Sequence, residues 1–300
     1  MRLSILVRFH EGANINLLRR ALYCLMDETE LTHEVVVMVQ YSSGEVLDAV
    51  RELCGSLFSS IPCRVQGVQV EPGSDRRGQL LADGILLARG DYIAFLDYDD
   101  MLFLGGVART IEICQSEEAD LAIAQCYVAY VEGIFPADYV VTKERFVTNV
   151  PANPLQLLAL NFAPICSCVV SRSLLVEEEI NTSPDATRLE DYELILKALG
   201  RGKVTLRPLA EGVITAQYNF NVDAGGTTLQ LCLDEELQRR EERNWESERK
   251  RLWSTVLPEL TVEIDFLALR NLLLCPPEAQ PTVVNLTAFV RRIRDERALA

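Results

Sequence analysis

An open, doubly wound α/β sheet, mostly parallel and followed by a helical C-terminal extension, is the fold class that the sequence predicts. Two observations carry this. Over the first hundred residues, short β-prone runs alternate with helical segments of roughly ten to thirteen residues, the pattern of consecutive βαβ units. The run His33–Gln40 is β-branched and nearly unbroken, as expected of a strand buried on both faces.

Taken in order, Ser4–Arg8 is a short apolar strand. Asn16–Leu25 is a helix with Leu17, Leu18, Ala21, Leu22 and Leu25 on one face. After the strand His33–Gln40, Ser42-Ser43-Gly44 breaks the chain and Val46–Phe58 is helical again. Val65–Val70 is a third strand, ended by Pro72-Gly73. Gln79–Ala88 is a helix with Gly90 expected at its C′ position, and Asp91–Leu96 is the fourth strand. Beyond Met101 the pattern predicts a helix at Gly105–Ser116, a strand at Ala119–Tyr130 and an irregular stretch at Val140–Pro154. A helix at Leu189–Leu199 is closed by Gly200 and Gly202. Asp234–Trp253 holds seven acids and six bases, with Glu235/Arg239, Glu236/Arg240 and Glu246/Lys250 at i,i+4. Leu233, Leu237, Trp245, Leu252 and Trp253 give that segment an intermittent apolar stripe, so it predicts a solvated helix lying along the main domain. The tail beyond Pro258 reads as helical and ends in Arg291-Arg-Ile-Arg294. The expected organisation is a main domain at 1–230, in halves 1–100 and 101–230, with an extension at 231–300.

Composition narrows the function. Twenty-nine Lys and Arg against 44 Asp and Glu leave a formal charge of -15. That field repels phosphate backbones, which argues against nucleic acid as a general partner. An anionic small substrate would need a metal ion or a local arginine cluster. His10 and His33 are the only histidines, too few for a histidine-rich metal site or for most Ser/His/Asp schemes. Nine scattered cysteines without a C-x-x-C read as reduced, mostly buried thiols of a cytosolic protein. The apolar run at the N-terminus is too short for a signal-peptide core. Leu155–Val170 contains Gln156, Asn161, Pro164 and Ser167 and falls short of the roughly 20 apolar residues that cross a bilayer. The expectation is a soluble, cytoplasmic protein whose membrane contact, if any, is peripheral to the inner face.

The fourth strand runs into Asp97-Tyr-Asp99-Asp100. In an extended chain residues i and i+2 project to one side, so Asp97 and Asp99 would face one ligand while Asp100 points away. Hard cations such as Mg²⁺ or Mn²⁺ are held by one or two carboxylates, with substrate phosphates completing the shell. The plain alternative is a solvated turn with Asp100 capping the next helix. Strand context favours a site, because doubly wound sheets bind ligands beyond the carboxyl ends of their strands, where Arg8, Gln40 and Asp97 fall.

Read together, these segments resemble the family 2 glycosyltransferases of the GT-A fold, which transfer sugars from nucleotide diphosphate donors with inversion. The resemblance covers about the first 220 residues and rests on three motifs in order. Ser4-Ile-Leu-Val-Arg-Phe-His-Glu11 is similar to the family's opening strand and nucleotide loop. Leu87-Ala-Arg-Gly-Asp-Tyr-Ile-Ala-Phe-Leu-Asp-Tyr-Asp-Asp100 matches its strand and metal-binding DXD segment. Leu189-Glu-Asp-Tyr-Glu-Leu194 matches its Glu-Asp motif at a helix start. The resemblance implies Mg²⁺ or Mn²⁺ at Asp97 and Asp99, with Asp191 as the general base and Glu190 tuning or orienting beside it. It places Arg8, His10, Gln40, Tyr41, Arg76, Arg77 and Asp97 around the nucleotide-sugar. Asn161–Cys168 resembles the family's segment near the acceptor pocket, and plain core explains its composition as well. Cys166 and Cys168 are expected to be buried thiols rather than nucleophiles.

Two features depart from the family. Where it usually carries base-reading aspartates after the second strand, this chain has Gln40-Tyr41, an amide able to bond a uracil edge and a ring able to stack. Where it often has Arg and Asn before the DXD strand, Leu81 and Ala82 fall in one alignment. Arg76 or Arg77, on the Gly73–Gly78 loop, could clamp a diphosphate from upstream or be solvated surface residues. Glu190-Asp191 also has a plain explanation in the helix macrodipole. A UDP-sugar is the expected donor, with dTDP- or GDP-sugars within about tenfold, and the expected acceptor is a saccharide or lipid-linked hydroxyl. The alternatives are a non-catalytic GT-A-like binding protein and a sugar-nucleotide pyrophosphorylase. The latter would want a Gly-rich basic loop where Arg8-Phe-His-Glu-Gly12 stands. No G-x-G-x-x-G supports a dehydrogenase.

Overall fold

The computed structural model describes residues 2–10, 12–26, 31, 33–133, 136, 140–141, 146–148, 150, 157, 161–177, 179–180, 182–206, 212–221, 243–244 and 246–256. In chain order these form β1 (Leu3–His10), α1 (Ile15–Tyr23), β2 (His33–Tyr41), α2 (Gly44–Leu57), β3 (Cys63–Gln69) and α3 (Arg77–Leu87). Next come β4 (Tyr92–Asp97), β5 (Met101–Leu102), α4 (Leu104–Glu117), β6 (Leu121–Ile123) and β7 (Gln125–Glu132). After β8 (Val140–Val141) and β9 (Phe146–Val147) follow β10 (Cys168–Ser171), α5 (Arg172–Glu177), α6 (Glu190–Arg201), β11 (Val204–Leu206) and β12 (Ile214–Asn221). Asn14 and Ser43 start α1 and α2 by accepting hydrogen bonds from the amides of Asn16 and Glu45.

The main sheet runs β11-β6-β10-β4-β1-β2-β3. It is parallel except at β10, which is antiparallel to both neighbours. Alternation along β1 sorts the core: Leu3, Ile5, Val7 and Phe9 pack with α1, α2 and α4, while Leu6 packs with α3, α5 and α6. Ser4 and Arg8 share the side of Leu6. Near the amino ends of the strands, the Ser4 hydroxyl donates to the buried Glu34 carboxylate at 2.6 Å and accepts from the Gly90 amide at 2.8 Å. Burial alone would raise the Glu34 pKa. Its bonds from Ser4 and the Arg89 amide, with Arg64 nearby, hold it below the ordinary carboxylate value.

A second, smaller sheet packs β12 parallel to β7 and antiparallel to β5, with β8 and β9 also paired to β7. Thus the single strand expected at Ala119–Tyr130 is two strands in two sheets, separated at Ala124. Both are buried, so their apolar run carries no mark of the change. The stretch expected to be irregular contributes β8 and β9. The helix α6 continues through Gly200 to Arg201. Gly90 is not a helix cap, since α3 ends at Leu87 with Ala88 as cap. It serves close approach instead: a Cβ there would lie 2.5 Å from the Ser4 nitrogen and 2.7 Å from the Leu3 carbonyl carbon. Gly106 plays the same part between α4 and β12, where a Cβ would lie 1.8 Å from the Ile214 oxygen. Gly106→Ala is therefore expected to destabilise the protein by about 1–3 kcal/mol. An unchanged melting temperature would contradict this packing.

Residues 246–251 are helical and run into a π-helical turn at Leu252–Val256. Leu252 and Val256 pack with Leu189, Tyr192 and Leu196, and the Arg251 guanidinium lies 2.8 Å from the buried Glu193 carboxylate. The expected Glu246–Lys250 pair forms at 3.1 Å on the surface. The boundary at 230, the residues Leu233, Leu237 and Trp245, the Trp253 side chain, the pairs Glu235/Arg239 and Glu236/Arg240, and the basic tail lie outside the described residues. Among the described residues no helix is long and apolar enough to cross a membrane, and the seven cysteines there are free.

Candidate active site

Parallel register brings the carboxyl ends of β1, β2 and β4 side by side, with Arg8 opposite Asp97 and His10 opposite Gln40. Arg8 points to the face on which α6 begins. Its Nε and Nη2 donate to the two Asp97 oxygens at 2.7 and 2.8 Å, and its Nη1 donates to Glu190 at 2.7 Å. The guanidinium and the Glu190 carboxylate are 10% and 5% exposed and Asp97 is 29% exposed, so this three-membered ion cluster is buried at its Arg8–Glu190 end and opens to solvent at Asp97. Burial works against the arginine's charge, but Asp97 and Glu190 outweigh it and hold the pKa above the ordinary arginine value.

The start of α6 is strained. Leu189 precedes it in the left-handed region at φ 59, a conformation that costs a non-glycine residue about 1–2 kcal/mol. Packing of its side chain against Tyr192, Leu252 and Val256 holds it there. Asp191 follows Glu190, and its carboxylate accepts from the Tyr192 amide at 2.7 Å. Burial and the neighbouring Glu190 charge push its pKa up to about 7, with Arg8 pulling the other way. A carboxylate so tuned can take a proton near neutral pH.

Beyond Asp97 the chain turns, so strand alternation stops. The Asp100 amide donates back to the Asp97 carbonyl at 3.0 Å. Asp100 is buried and accepts from the Asn219 amide of β12 at 2.8 Å. It therefore ties the two sheets together and does not cap α4, whose N-cap residue Phe103 supplies no side-chain hydrogen bond. The Asp99 carbonyl accepts from Asn219 Nδ2 at 2.7 Å and from the Arg20 guanidinium. No side-chain cation pairs with the Asp99 carboxylate among the described residues. Burial and the Asp97 charge push its pKa up to about 7. No cluster of three metal-ligating side chains forms among the described residues.

The loop before α3 is bracketed by Gln40. Its Nε2 donates to the Ser74 carbonyl and its Oε1 accepts from the Arg76 amide, both at 2.7 Å. Arg77 chelates Asp75, and Arg188 reaches the same carboxylate at 3.0 Å. Arg76 pairs with Asp185, and the Thr182 hydroxyl donates to the Gly78 carbonyl at 2.9 Å. A Cβ on Gly78 would lie 2.3 Å from the Ser183 oxygen, so only glycine lets these two segments touch.

Of the residues predicted from sequence, Arg8, Asp97, Glu190 and Asp191 meet at one point, with Asp99 on the adjoining turn. Arg77 lies within electrostatic reach of Glu190. Arg76 sits further out, beside Asp185. His10 is exposed at the end of β1 with its ring edge-on to Tyr98, centroids 5.1 Å apart. Tyr41 packs over Gly67, where a Cβ would lie 2.5 Å from its ring. Cys166 and Cys168 are buried, and burial raises the Cys168 pKa. Sequence reasoning missed Arg188, Asp75, Arg20 and Asn219. Only Arg188 carried a signal, as a cation two residues before Glu190-Asp191.

Residues 4–173 match the family described as Glycosyl transferase family 2, more than half of the chain. The chain belongs to glycosyl transferase family 2. The matched part carries β1 to β10 and the acidic turn, and stops short of Glu190-Asp191. Solved structures share the GT-A architecture of this glycosyltransferase. S. aureus TarS 1-349 in complex with UDP-GlcNAc superposes with a TM-score of 0.56 at 15% identity, covering 100% of this chain and 84% of that one. The mannosyltransferase PcManGT from Pyrobaculum calidifontis, in complex with GDP-Man and Mn²⁺, superposes with a TM-score of 0.54 at 13% identity, covering 99% and 77%. At such identities the likeness is one of fold. Comparison with curated proteins finds no match.

Proposed function

We propose that this family 2 glycosyltransferase moves a glycosyl group from a nucleotide diphosphate-sugar to an acceptor hydroxyl with inversion, using Asp191 as general base. The observation that carries this reading is the convergence of Asp97 and Asp99 with Glu190-Asp191, from opposite halves of the chain, around one buried arginine. Asp191 takes the acceptor hydroxyl proton as that oxygen attacks the anomeric carbon, and the nucleotide diphosphate leaves from the opposite face. Burial and the negative charge of Glu190 raise the basicity of Asp191, with Arg8 pulling the other way. In a chain of charge -15, Arg77 and Arg188 are the cations best placed to meet the diphosphate.

The acidic turn fits a divalent cation at Asp99, whose half-buried carboxylate makes no ion pair among the described residues. Mg²⁺ or Mn²⁺ there would neutralise charge on the departing diphosphate. Solved relatives with UDP, UDP-GlcNAc or GDP-Man and Mn²⁺ support a nucleotide-sugar donor. We read the acceptor as a saccharide or lipid-linked hydroxyl and the setting as cytoplasmic. The deciding experiment incubates the protein with a panel of nucleotide-sugars and Mn²⁺ and measures donor hydrolysis and transfer. Binding without turnover for every donor would favour a non-catalytic GT-A-like protein instead.

Both ends of the Gln40 amide are spent on the loop, which changes what its removal should do. Gln40→Ala is expected to weaken UDP, dTDP, GDP and CDP alike, by up to about thirtyfold, because a loop held by two hydrogen bonds of about 1 kcal/mol each is released. Calorimetric titration with Mn²⁺ checks this. A change in the ranking of the bases would mean that Gln40 reads the base directly.

A further inference from the structure

We propose that Arg251, at the end of the helical stretch 246–251, is a positioning residue for the general base: it pins Glu193 and so holds the strained first turn of α6 in the form that presents Asp191. The inference deepens the reading of Asp191 given above and rests on it.

The start of α6 does not hold itself. It has no side-chain cap, and Leu189 sits at φ 59. In the cluster that pins the Leu189 side chain, Tyr192 and Leu196 belong to α6, whereas Leu252 and Val256 come from the C-terminal segment. The first turn closes through the Glu193 amide, which donates to the Leu189 carbonyl at 2.9 Å. Whatever fixes Glu193 therefore fixes the carbonyl of the strained residue, and Glu190 and Asp191 lie between the two.

The buried Glu193 carboxylate takes Lys197, one turn on, at 2.7 Å and Arg251 at 2.8 Å. Burial would raise its pKa, but Lys197 and Arg251 hold it below the ordinary carboxylate value, so these are charged pairs. Arg251 is oriented by Glu248, one turn back on its own helix, which accepts from its Nε at 2.6 Å. Its Nη1 donates to the Ser183 hydroxyl at 3.0 Å. Ser183 closes the circuit, since its own amide donates to Glu193 at 3.2 Å and the neighbouring Thr182 is bonded to Gly78 at the start of α3. One guanidinium thus joins the C-terminal helix, α6 and the turn that seats α3. A base displaced by about an ångström loses about 10²-fold in rate, so support of this kind acts on catalysis through Glu193.

Arg251→Met is the variant of choice, because Lys197 still neutralises Glu193 and no buried acid is stranded. Wild type, Arg251→Met, Asp191→Asn and the double variant are compared well below the lowest of their melting temperatures. The readouts are transfer kinetics with a nucleotide-sugar that turns over and calorimetric titration of UDP with Mn²⁺. Arg251→Met is expected to lower kcat by about tenfold to a hundredfold while UDP affinity stays within about threefold. In the Asp191→Asn background the same substitution is expected to change kcat by less than about twofold, because the base that it positions is already gone. A wild-type kcat in Arg251→Met, or an equal loss in both backgrounds, would overturn the proposal. Should Arg251→Met fail to fold, Glu193→Gln removes the same pair from the other side and is carried through the same cycle.

Hydrogen exchange reads the turn without substrate. The amides of Leu189–Glu193 are expected to exchange about tenfold or more faster in Arg251→Met, with those of β1 and β2 unchanged. Unchanged exchange in that turn would also overturn the proposal. If Asp191→Asn kept the wild-type rate, or no donor turned over, the base reading would fall, and hydrogen exchange would decide on its own whether Arg251 holds the turn.

Discussion

Asp191→Asn is expected to lower the transfer rate by about 10²–10⁴-fold while leaving donor affinity near wild type, because it keeps the size of the side chain and removes the proton acceptor. The pH dependence gives an independent signature. Burial and the Glu190 charge raise the Asp191 pKa to about 7, so the base is protonated and idle below that pH. The wild-type rate should accordingly rise with pH through about 7, falling about tenfold for each unit below it. An unperturbed aspartate would show its rise near pH 4, well below the working range. Stopped transfer assays between pH 5 and 9 distinguish the two. A flat profile across that interval, or an Asp191→Asn variant at the wild-type rate, would remove Asp191 from the base's position.

The second large effect concerns stability. Arg8→Met keeps much of the side-chain volume and removes the charge, leaving Asp97 and the buried Glu190 without their common partner. Removing one member of a buried ion cluster costs about 3–5 kcal/mol, because the remaining charge stays desolvated. In a chain of this size the melting temperature should drop by roughly 10 °C. Replacing the acids as well, in Arg8→Met with Asp97→Asn and Glu190→Gln, should recover most of that loss, since no uncompensated charge remains. If the single variant melted with wild type, the cluster would be open to water rather than sealed beneath the strands and α6.

The alternation of strands and helices in the first hundred residues was legible because each strand of that half is short, β-rich and bounded by turn chemistry, and each helix shows its buried face at helical spacing. The second half was harder. Leu121–Ile123 and Gln125–Glu132 read as one strand because burial in either sheet asks for the same apolar residues. Nothing in the sequence announces that Ala124 passes the chain from one sheet to the other. Gly90 misled for a related reason: a glycine that ends a helix and a glycine that lets two backbones touch look alike until the neighbouring strand is in place.

The residue types of the site were present in the sequence: acids at the end of β4 and at the start of a helix, and a polar residue at the end of each neighbouring strand. Their pairing was not. Arg8, Asp97 and Glu190 are separated by most of the chain, and only the parallel register of β1 with β4, together with the docking of α6, makes them one cluster. The same holds for Gln40, whose amide meets the Ser74–Arg76 backbone rather than open space, and for Asp100, which faces β12 once the turn breaks strand alternation. Sequence by itself determined the doubly wound domain and which side chains are chemically able to act, because periodicity and residue type are local properties. Tertiary structure alone decided which carboxylate is neutralised, which is tied to backbone and which makes no ion pair among the described residues, because charge compensation depends on distances of a few ångströms that no local pattern encodes.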